Sequence, residues 1–258
     1  MKHFSFTKMH GLGNDFVVIE TITQKITLDP STLQLIADRH LGVGCDQILV
    51  LSPSTSDADF NYRIYNADGS EAEHCGNGAR CLAKFIHDNQ LSTDHELTLQ
   101  LSTHRITAKF ISDHVIKISM GQPDFALPFT FEGFKIHPVS IGNPHAVIFS
   151  DQPPPDLAAL ATRLSQDPHF PEGVNLSWAT VQDPHHIALT VYERGAGFTL
   201  ACGSAACATA ALALNHHQCE GSVVVSMPGG DCTVEWPKQG ALYLSGPATT
   251  VFTGVWHG

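Results

Sequence analysis

The chain carries one pattern twice. Cys75 opens Cys-Gly-Asn-Gly-Ala, and Cys202 opens Cys-Gly-Ser-Ala-Ala. Gly13-Asn14 and Gly142-Asn143 precede these cysteines at matching distances, Asn14 by 61 positions and Asn143 by 59. Gly44-Cys45-Asp46-Gln47 holds the place of Gly173-Val174-Asn175. Asn66 and Glu193 each lie nine residues before their cysteine, and Gly121 and Gly246 follow theirs by 46 and 44. Five landmarks in one order at near-equal offsets imply two homologous halves. The join is expected near Met120 to His137, where Pro123, Pro128 and Gly133 punctuate the chain.

Each half reads alike. A β-branched and aromatic strand (Phe16 to Glu20; Ala146 to Phe149) is followed by a helix (Ser31 to Arg39; Asp156 to Ser165). A second strand (Tyr62 to Tyr65; Ile187 to Tyr192) leads into the cysteine loop and its helix. Hairpin-like strands, Leu97 to Ser119 and Val223 to Leu244, close each half. The helix Ala205 to Leu214 is apolar on all sides, so it is expected inside a surrounding sheet. The expected fold class is therefore α/β (α+β): two pseudo-symmetric halves, each a mixed β-sheet wrapped around a central α-helix. Both helix N-termini should then face a cleft between the halves.

A thiol at a helix N-terminus meets unpaired backbone N–H groups and the positive end of the helix dipole, which favour a thiolate and a bound carboxylate. Two such thiols at one carbon could take a proton from one face and return one on the other. An amino-acid α-hydrogen is a very weak acid, so its inversion needs a base, an acid and stabilisation of the charge that develops on the carboxylate. Gly76 and Gly203 would let backbone donors approach that carboxylate closely. Against this stands the common fate of a cysteine as a small buried apolar residue, the reading kept for Cys45, Cys81, Cys207, Cys219 and Cys232.

Other chemistries fit less well. Cys202 and Cys207 have a loose metal-ligand spacing, but five helical residues turn about 140° beyond one revolution and aim the thiols apart. Pyridoxal chemistry needs a Schiff-base lysine and a phosphate cradle. Lys8 and Lys84 are available, but no phosphate loop is visible. Neither metal nor organic cofactor is expected. A net charge of −11 argues against nucleic-acid binding, and no apolar run suggests a membrane span or signal peptide. Seven cysteines without a secretory signal read as reduced cytoplasmic thiols.

The motifs Lys8 to Phe16, Arg39 to Gly44, Tyr65 to Ser70, Cys75 to Arg80, Gly142 to His145, Tyr192 to Gly197 and Ala201 to Ser204 strongly resemble the diaminopimelate epimerase family. The resemblance runs through essentially the whole chain. It implies halves at 1–120 and 121–249, with residues 250–258 returning to the first. It implies a cytoplasmic homodimer that interconverts LL- and meso-diaminopimelate in lysine biosynthesis without metal or pyridoxal phosphate. Cys75 and Cys202 match the two catalytic bases, with His145 and Glu193 as supporting groups. Gly76, Asn77, Gly203 and Ser204 match the groups holding the reacting carboxylate. Asn14, Gln47, Asn66, Asn143, Asn175 and Arg194, with Glu193, match the substrate contacts. Arg194 can grip a second carboxylate through a bidentate fork.

The chain departs from the family pattern at Phe198, usually an acid, and at Ala205, usually Gly. Both touch the Cys202 loop, whose packing and thiol acidity are therefore expected to differ. A racemase of a single-headed amino acid and a thiol redox or small-molecule binding protein are the competing readings. Proton exchange at a substrate α-carbon separates them.

Overall fold

The computed structural model describes residues 3–72, 75–102 and 104–258. Two compact units divide the chain, one formed by 1–118 with 246–258 and the other by 119–245. Among the described residues, no helix is long and apolar enough to cross a membrane.

The first unit contains β1 (His3–Gly11), β2 (Asn14–Glu20), α1 (Pro30–Ala37), β3 (Gln47–Pro53), β4 (Phe60–Asn66), β5 (Glu71–Ala72), α2 (Gly76–Asp88), β6 (Glu96–Gln100), β7 (Arg105–Phe110) and β8 (Val115–Ser119). The strands lie side by side in the order β1, β2, β3, β4, β6, β7, β8. The β2–β3 and β4–β6 neighbours are parallel, and α1 and α2 respectively fall between them in the chain. The final strand, Thr249–His257, pairs antiparallel along β1 and belongs to this unit.

The two helices cover opposite faces of this sheet. Val17, Ile19 and Ile48 point toward Leu33 and Ile36 of α1. Phe16 and Leu49, on alternate positions, press on the start of α2 at Gly78. A Cβ at Gly78 would sit 3.1 Å from Leu49 Cδ2, so the small residue lets the cysteine end of α2 approach the sheet. Helix α1 starts at an Asp29 cap with Pro30 in its first turn. It stops at Ala37, two residues short of the expected Arg39. Asp38 takes extended backbone and uses its carboxylate to accept the His40 and Leu41 N–H groups.

The second unit repeats this plan. Its elements are β9 (Asp124–Phe125), β10 (Phe129–Phe131), β11 (Phe134–Ser140), β12 (Pro144–Phe149), α3 (Leu157–Leu164), β13 (Asn175–Asp183), β14 (His186–Glu193), β15 (Gly197–Phe198), α4 (Gly203–Asn215), β16 (Ser222–Met227), β17 (Gly230–Glu235) and β18 (Tyr243–Pro247), with β19 the final strand already described. The order is β11, β12, β13, β14, β16, β17, β18, again with the second and third strands parallel and the fourth and fifth parallel. Helix α4 packs against β11 to β14, β16 and β17, and all but two of its 13 residues are buried. Helices α2 and α4 have the same length, 13 residues, and a left-handed residue follows each cap, Gln90 and His217.

The stretch 120–137, expected as a join, is structured and lies in the second unit. Pro123 and Pro128 fall just before its short strands and Gly133 in the β10–β11 turn, while Phe129, Phe131 and Phe134 pack on the core formed by Ile136, Ile148, Leu160 and Trp178.

Candidate active site

In each unit the residues of interest gather at one end of three adjacent strands. Asn14 begins β2, Gln47 begins the parallel β3, and Asn66 ends β4 directly opposite Gln47. In the second unit His145 pairs in parallel register with Asn175, and Glu193 ends β14. The same sheet geometry thus presents Asn14, Gln47 and Asn66 in one half and His145, Asn175 and Glu193 in the other.

Cys75 is the half-buried N-cap of α2, and its sulfur accepts the Gly78 N–H at 3.4 Å. Its thiol lies 3.6 Å from Asn14 Oδ1, which also accepts the Asn77 side-chain amide at 3.2 Å. The polarity of these amides follows from their partners. Arg80 is fully buried and can only donate, and its guanidinium meets Asn77 Oδ1 at 2.7 Å. Asn14 Nδ2 donates to Asp46 Oδ2 at 2.9 Å. Arg39 holds Asp46 and both oxygens of Asp15, which Lys8 also contacts. Burial alone would raise the Asp15 carboxyl, but hydrogen bonds from Arg39 and Lys8 outweigh it and hold the group well below the ordinary carboxylate range. Gln47 donates to Asn66 Oδ1 at 3.0 Å, and Asn66 donates to Ser70.

Cys202 is the N-cap of α4, but its surroundings are different. It is buried and its side chain closes no capping bond. Its thiol donates to Glu193 Oε2 at 3.2 Å, and Ser204 Oγ lies 3.5 Å away. Thr199 Oγ1 donates to the other oxygen of Glu193 at 2.6 Å. Burial first, and then the Glu193 charge, push the Cys202 thiol well above its ordinary value. The Ser204 hydroxyl and the Ala205 amide pull the other way and lose. The expected thiolate-favouring effect of the helix start is therefore overturned at Cys202.

A second line of contacts reaches Ser204 from the sheet. Asn143 Nδ2 donates to Ser204 Oγ at 3.4 Å, while its Oδ1 faces His145 Nε2 at 2.9 Å. This arrangement requires a proton on Nε2 of His145. Burial holds that imidazole at a pKa of about 3, so it is neutral. Asn175 donates to the Pro144 carbonyl at 3.1 Å and accepts the Arg194 backbone N–H at 2.9 Å. The exposed Arg194 side chain crosses Gly173 and bonds the Glu172 carbonyl. A Cβ at Gly173 would lie 3.0 Å from Arg194 Cδ, so that path depends on the glycine.

The model of the family described as diaminopimelate epimerase matches residues 6–126 and 138–251. The chain belongs to the diaminopimelate epimerase family. Family relatives include the diaminopimelate epimerase of Nitrosospira multiformis, 42% identical with 96% of each chain covered. That of Coxiella burnetii is 44% identical with 98% of each covered. Family membership makes the chain an isomerase. The fold is shared more widely. A Bacillus anthracis phenazine biosynthesis protein of the PhzF family superposes with a TM-score of 0.79 at 14% identity, covering all of both chains. A hydroxyproline epimerase from Agrobacterium vitis gives 0.72 at 13% identity, covering 98% of this chain and 92% of its own.

Set out on this diaminopimelate epimerase family frame, the expected residues form local groups. Cys75, Asn14 and Asn77 share hydrogen bonds, and so do Gln47 and Asn66. Cys202, Ser204, Glu193, Asn143 and His145 make one connected chain, and Asn175 joins Arg194. Gly76 and Gly203 are the first buried residues of α2 and α4. Sequence reasoning missed Thr199, Asp46 and Arg80 as partners of site residues. Their contacts cross strands or turns of helix; Arg80 lies inside the cysteine motif and Asp46 inside the Gly44-to-Gln47 landmark, but neither position shows its partner.

Proposed function

We propose that this chain inverts one α-carbon of diaminopimelate by two-base proton transfer, interconverting the LL and meso forms in lysine biosynthesis. The supporting observation is that each unit places one cysteine as the N-cap of its central helix. In one direction the Cys75 thiolate takes the α-hydrogen as a proton, and the bond pair moves into the substrate carboxylate. The Cys202 thiol gives a proton to the opposite face and becomes the thiolate. The reverse direction exchanges the roles. Backbone donors at Gly76, Asn77, Gly203 and Ser204 hold the carboxylate, each well-placed donor contributing about 2.7–4 kcal/mol. Arg194 binds the distal carboxylate, and Asn14, Gln47, Asn66, Asn143, Asn175 and Glu193 contact the two amino-acid heads. His145 supports the Cys202 side through Asn143 and Ser204. The reading includes a cytoplasmic homodimer, supported by the family resemblance.

The raised Cys202 thiol supports its assignment as the resting acid. Incubation in heavy water tests the whole reading. Deuterium should enter the α-carbon of diaminopimelate as the isomers interconvert. Exchange into proline or lysine at an equal rate would instead favour the single-headed racemase, and no exchange into any of them would refute an epimerase.

A further inference from the structure

We propose that Thr199 is a positioning residue that clamps Glu193 against the Cys202 thiol. The inference rests on the two-thiol reading above and adds a third member to the Cys202 side. Strand β15 pairs with the end of β14, placing Phe198 opposite Tyr192 and Gly197 opposite Glu193. Thr199 follows, with its backbone N–H directed to the Val191 carbonyl at 3.4 Å. It therefore stands diagonally across from Glu193 on the same face of the hairpin. Its backbone serves the hairpin, and its hydroxyl remains for the carboxylate.

The geometry divides the two oxygens of Glu193. Thr199 donates to Oε1 at 2.6 Å, in the range of a charge-assisted O–H···O⁻ bond, which leaves Oε2 to accept the Cys202 thiol at 3.2 Å. A β-branched side chain has few χ1 options, so Thr199 offers its hydroxyl in a fixed direction. Glu193 has three side-chain torsions and is only half-buried. Without the clamp its carboxylate can turn toward water. The clamp thus keeps a negative charge beside the sulfur. It holds Cys202 protonated before it delivers its proton and makes the resulting thiolate a stronger base for the reverse direction.

The test compares Thr199→Val, which keeps the shape and loses the hydroxyl, with Thr199→Ser, which keeps the hydroxyl. In substrate-free protein, iodoacetamide labelling at neutral pH is followed at Cys202 by peptide mapping, with Cys75 as reference. T199V should label Cys202 about tenfold faster, the change in thiolate fraction that one pKa unit gives, with Cys75 unchanged. The same variant should lose about tenfold in kcat on diaminopimelate, a fraction of what general acid–base catalysis supplies, with KM within about twofold. T199S should restore both. Glu193→Gln should reproduce the faster labelling, and adding T199V to it should change nothing further. Should T199V fail to fold, Thr199→Ala removes the same hydroxyl.

Unchanged Cys202 labelling in T199V overturns the proposal even if kcat falls, since a structural role alone would explain that fall. T199S behaving like T199V overturns it as well. The labelling needs no substrate, so it judges the Thr199 clamp independently of whether diaminopimelate exchanges its α-hydrogen.

Discussion

The two cysteine helices start alike and treat their sulfurs differently. Cys75 is half-buried, accepts a backbone N–H from Gly78, and faces the amide carbonyl of Asn14. Cys202 is buried and faces a carboxylate. The helices differ in the same sense. The second turn of α2 carries a buried guanidinium, Arg80, whereas the buried residues of α4 are only Gly, Ala, Leu, Thr and Cys. A helix N-terminus therefore does not by itself decide the protonation of the thiol it carries. The dipole and orphan N–H groups are a small fixed contribution, and burial with a neighbouring charge exceeds it. A duplicated fold can thus supply two equivalent positions and still set two thiols in different electrostatic surroundings.

The strongest test of that division removes each sulfur in turn. Cys75→Ala and Cys202→Ala should each lower epimerisation by at least about 10²-fold, the lower end of general acid–base contributions, while thermal unfolding stays near wild type. In the intact protein iodoacetamide should label Cys75 well before Cys202. Equal labelling would erase the electrostatic difference between the two helix starts. Full activity in either folded variant would remove that cysteine from the mechanism.

Next in size is Arg194, whose side chain crosses Gly173 in the second unit while the first unit's Arg39, beside Gly44, is held by Asp15 and Asp46. Arg194→Lys keeps the charge and loses the planar fork, and kcat/KM on diaminopimelate should fall roughly tenfold to a hundredfold, or about 1.4–2.7 kcal/mol at one decade per 1.36 kcal/mol. On a substrate lacking the distal carboxylate, wild type and variant should be equally poor. If wild type uses that truncated substrate as well as diaminopimelate, Arg194 is not a specificity clamp.

A smaller effect tests the neutral His145 behind Ser204. Burial lowers its pKa to about 3 from the ordinary 6.5. Between those values the unfolded chain binds a proton that the folded protein refuses, so stability present above pH 6.5 declines as pH falls toward 3. His145→Gln keeps a donor for Asn143 and removes the titration. The urea midpoint should fall less steeply from pH 7 to pH 4 in the variant than in wild type, the gap corresponding to up to about one proton. Parallel curves would mean that His145 is protonated in the folded state. His137, lowered to about 4 by burial and by the nearby His216 and Lys135 charges, contributes the same trend to both proteins and cancels in the comparison.

Much of this molecule could be read from the chain because the informative signals are local or repeated. The duplicated offsets anticipated two like units, and the apolar stretch after Cys202 marked a buried helix. Strands were lost where periodicity is silent. Ile48 to Leu51 is a short apolar run without alternation, which cannot separate strand from helix. In β1 a buried Lys8 interrupts the apolar pattern, and its partner Asp15 is visible only after folding. Partners such as Thr199 and Asp46 depend on strand register and loop path, which residue spacing does not encode. Which way the Cys202 environment shifts its thiol is not legible in the chain: the sequence displays the helix start but hides the burial and the carboxylate folded against it.

The smallest predicted effect concerns Phe198, where the family usually has an acid. The residue adjoins Thr199 in sequence, so a change there was expected to disturb the Cys202 loop. Side chains alternate along a strand, however, and Phe198 lies edge-on to Tyr192, with ring centres 5.2 Å apart, on the face opposite Glu193 and Thr199. It is 58% exposed, so the aromatic contact contributes at most about 0.5–1.5 kcal/mol and a carboxylate in its place would be solvated. Phe198→Glu should lower the unfolding midpoint slightly, leave kcat within about twofold and leave Cys202 labelling unchanged, the behaviour of a surface substitution away from the site. Phe198 also lines an apolar groove of about 440 Å³ with Trp178, Leu189 and Met227, and that face should become less sticky when the acid is introduced. A marked slowing of Cys202 labelling in Phe198→Glu would show that the new charge reaches the sulfur. The two faces of the hairpin would then be coupled, and the protonation of Cys202 could not be assigned to Glu193 and burial alone.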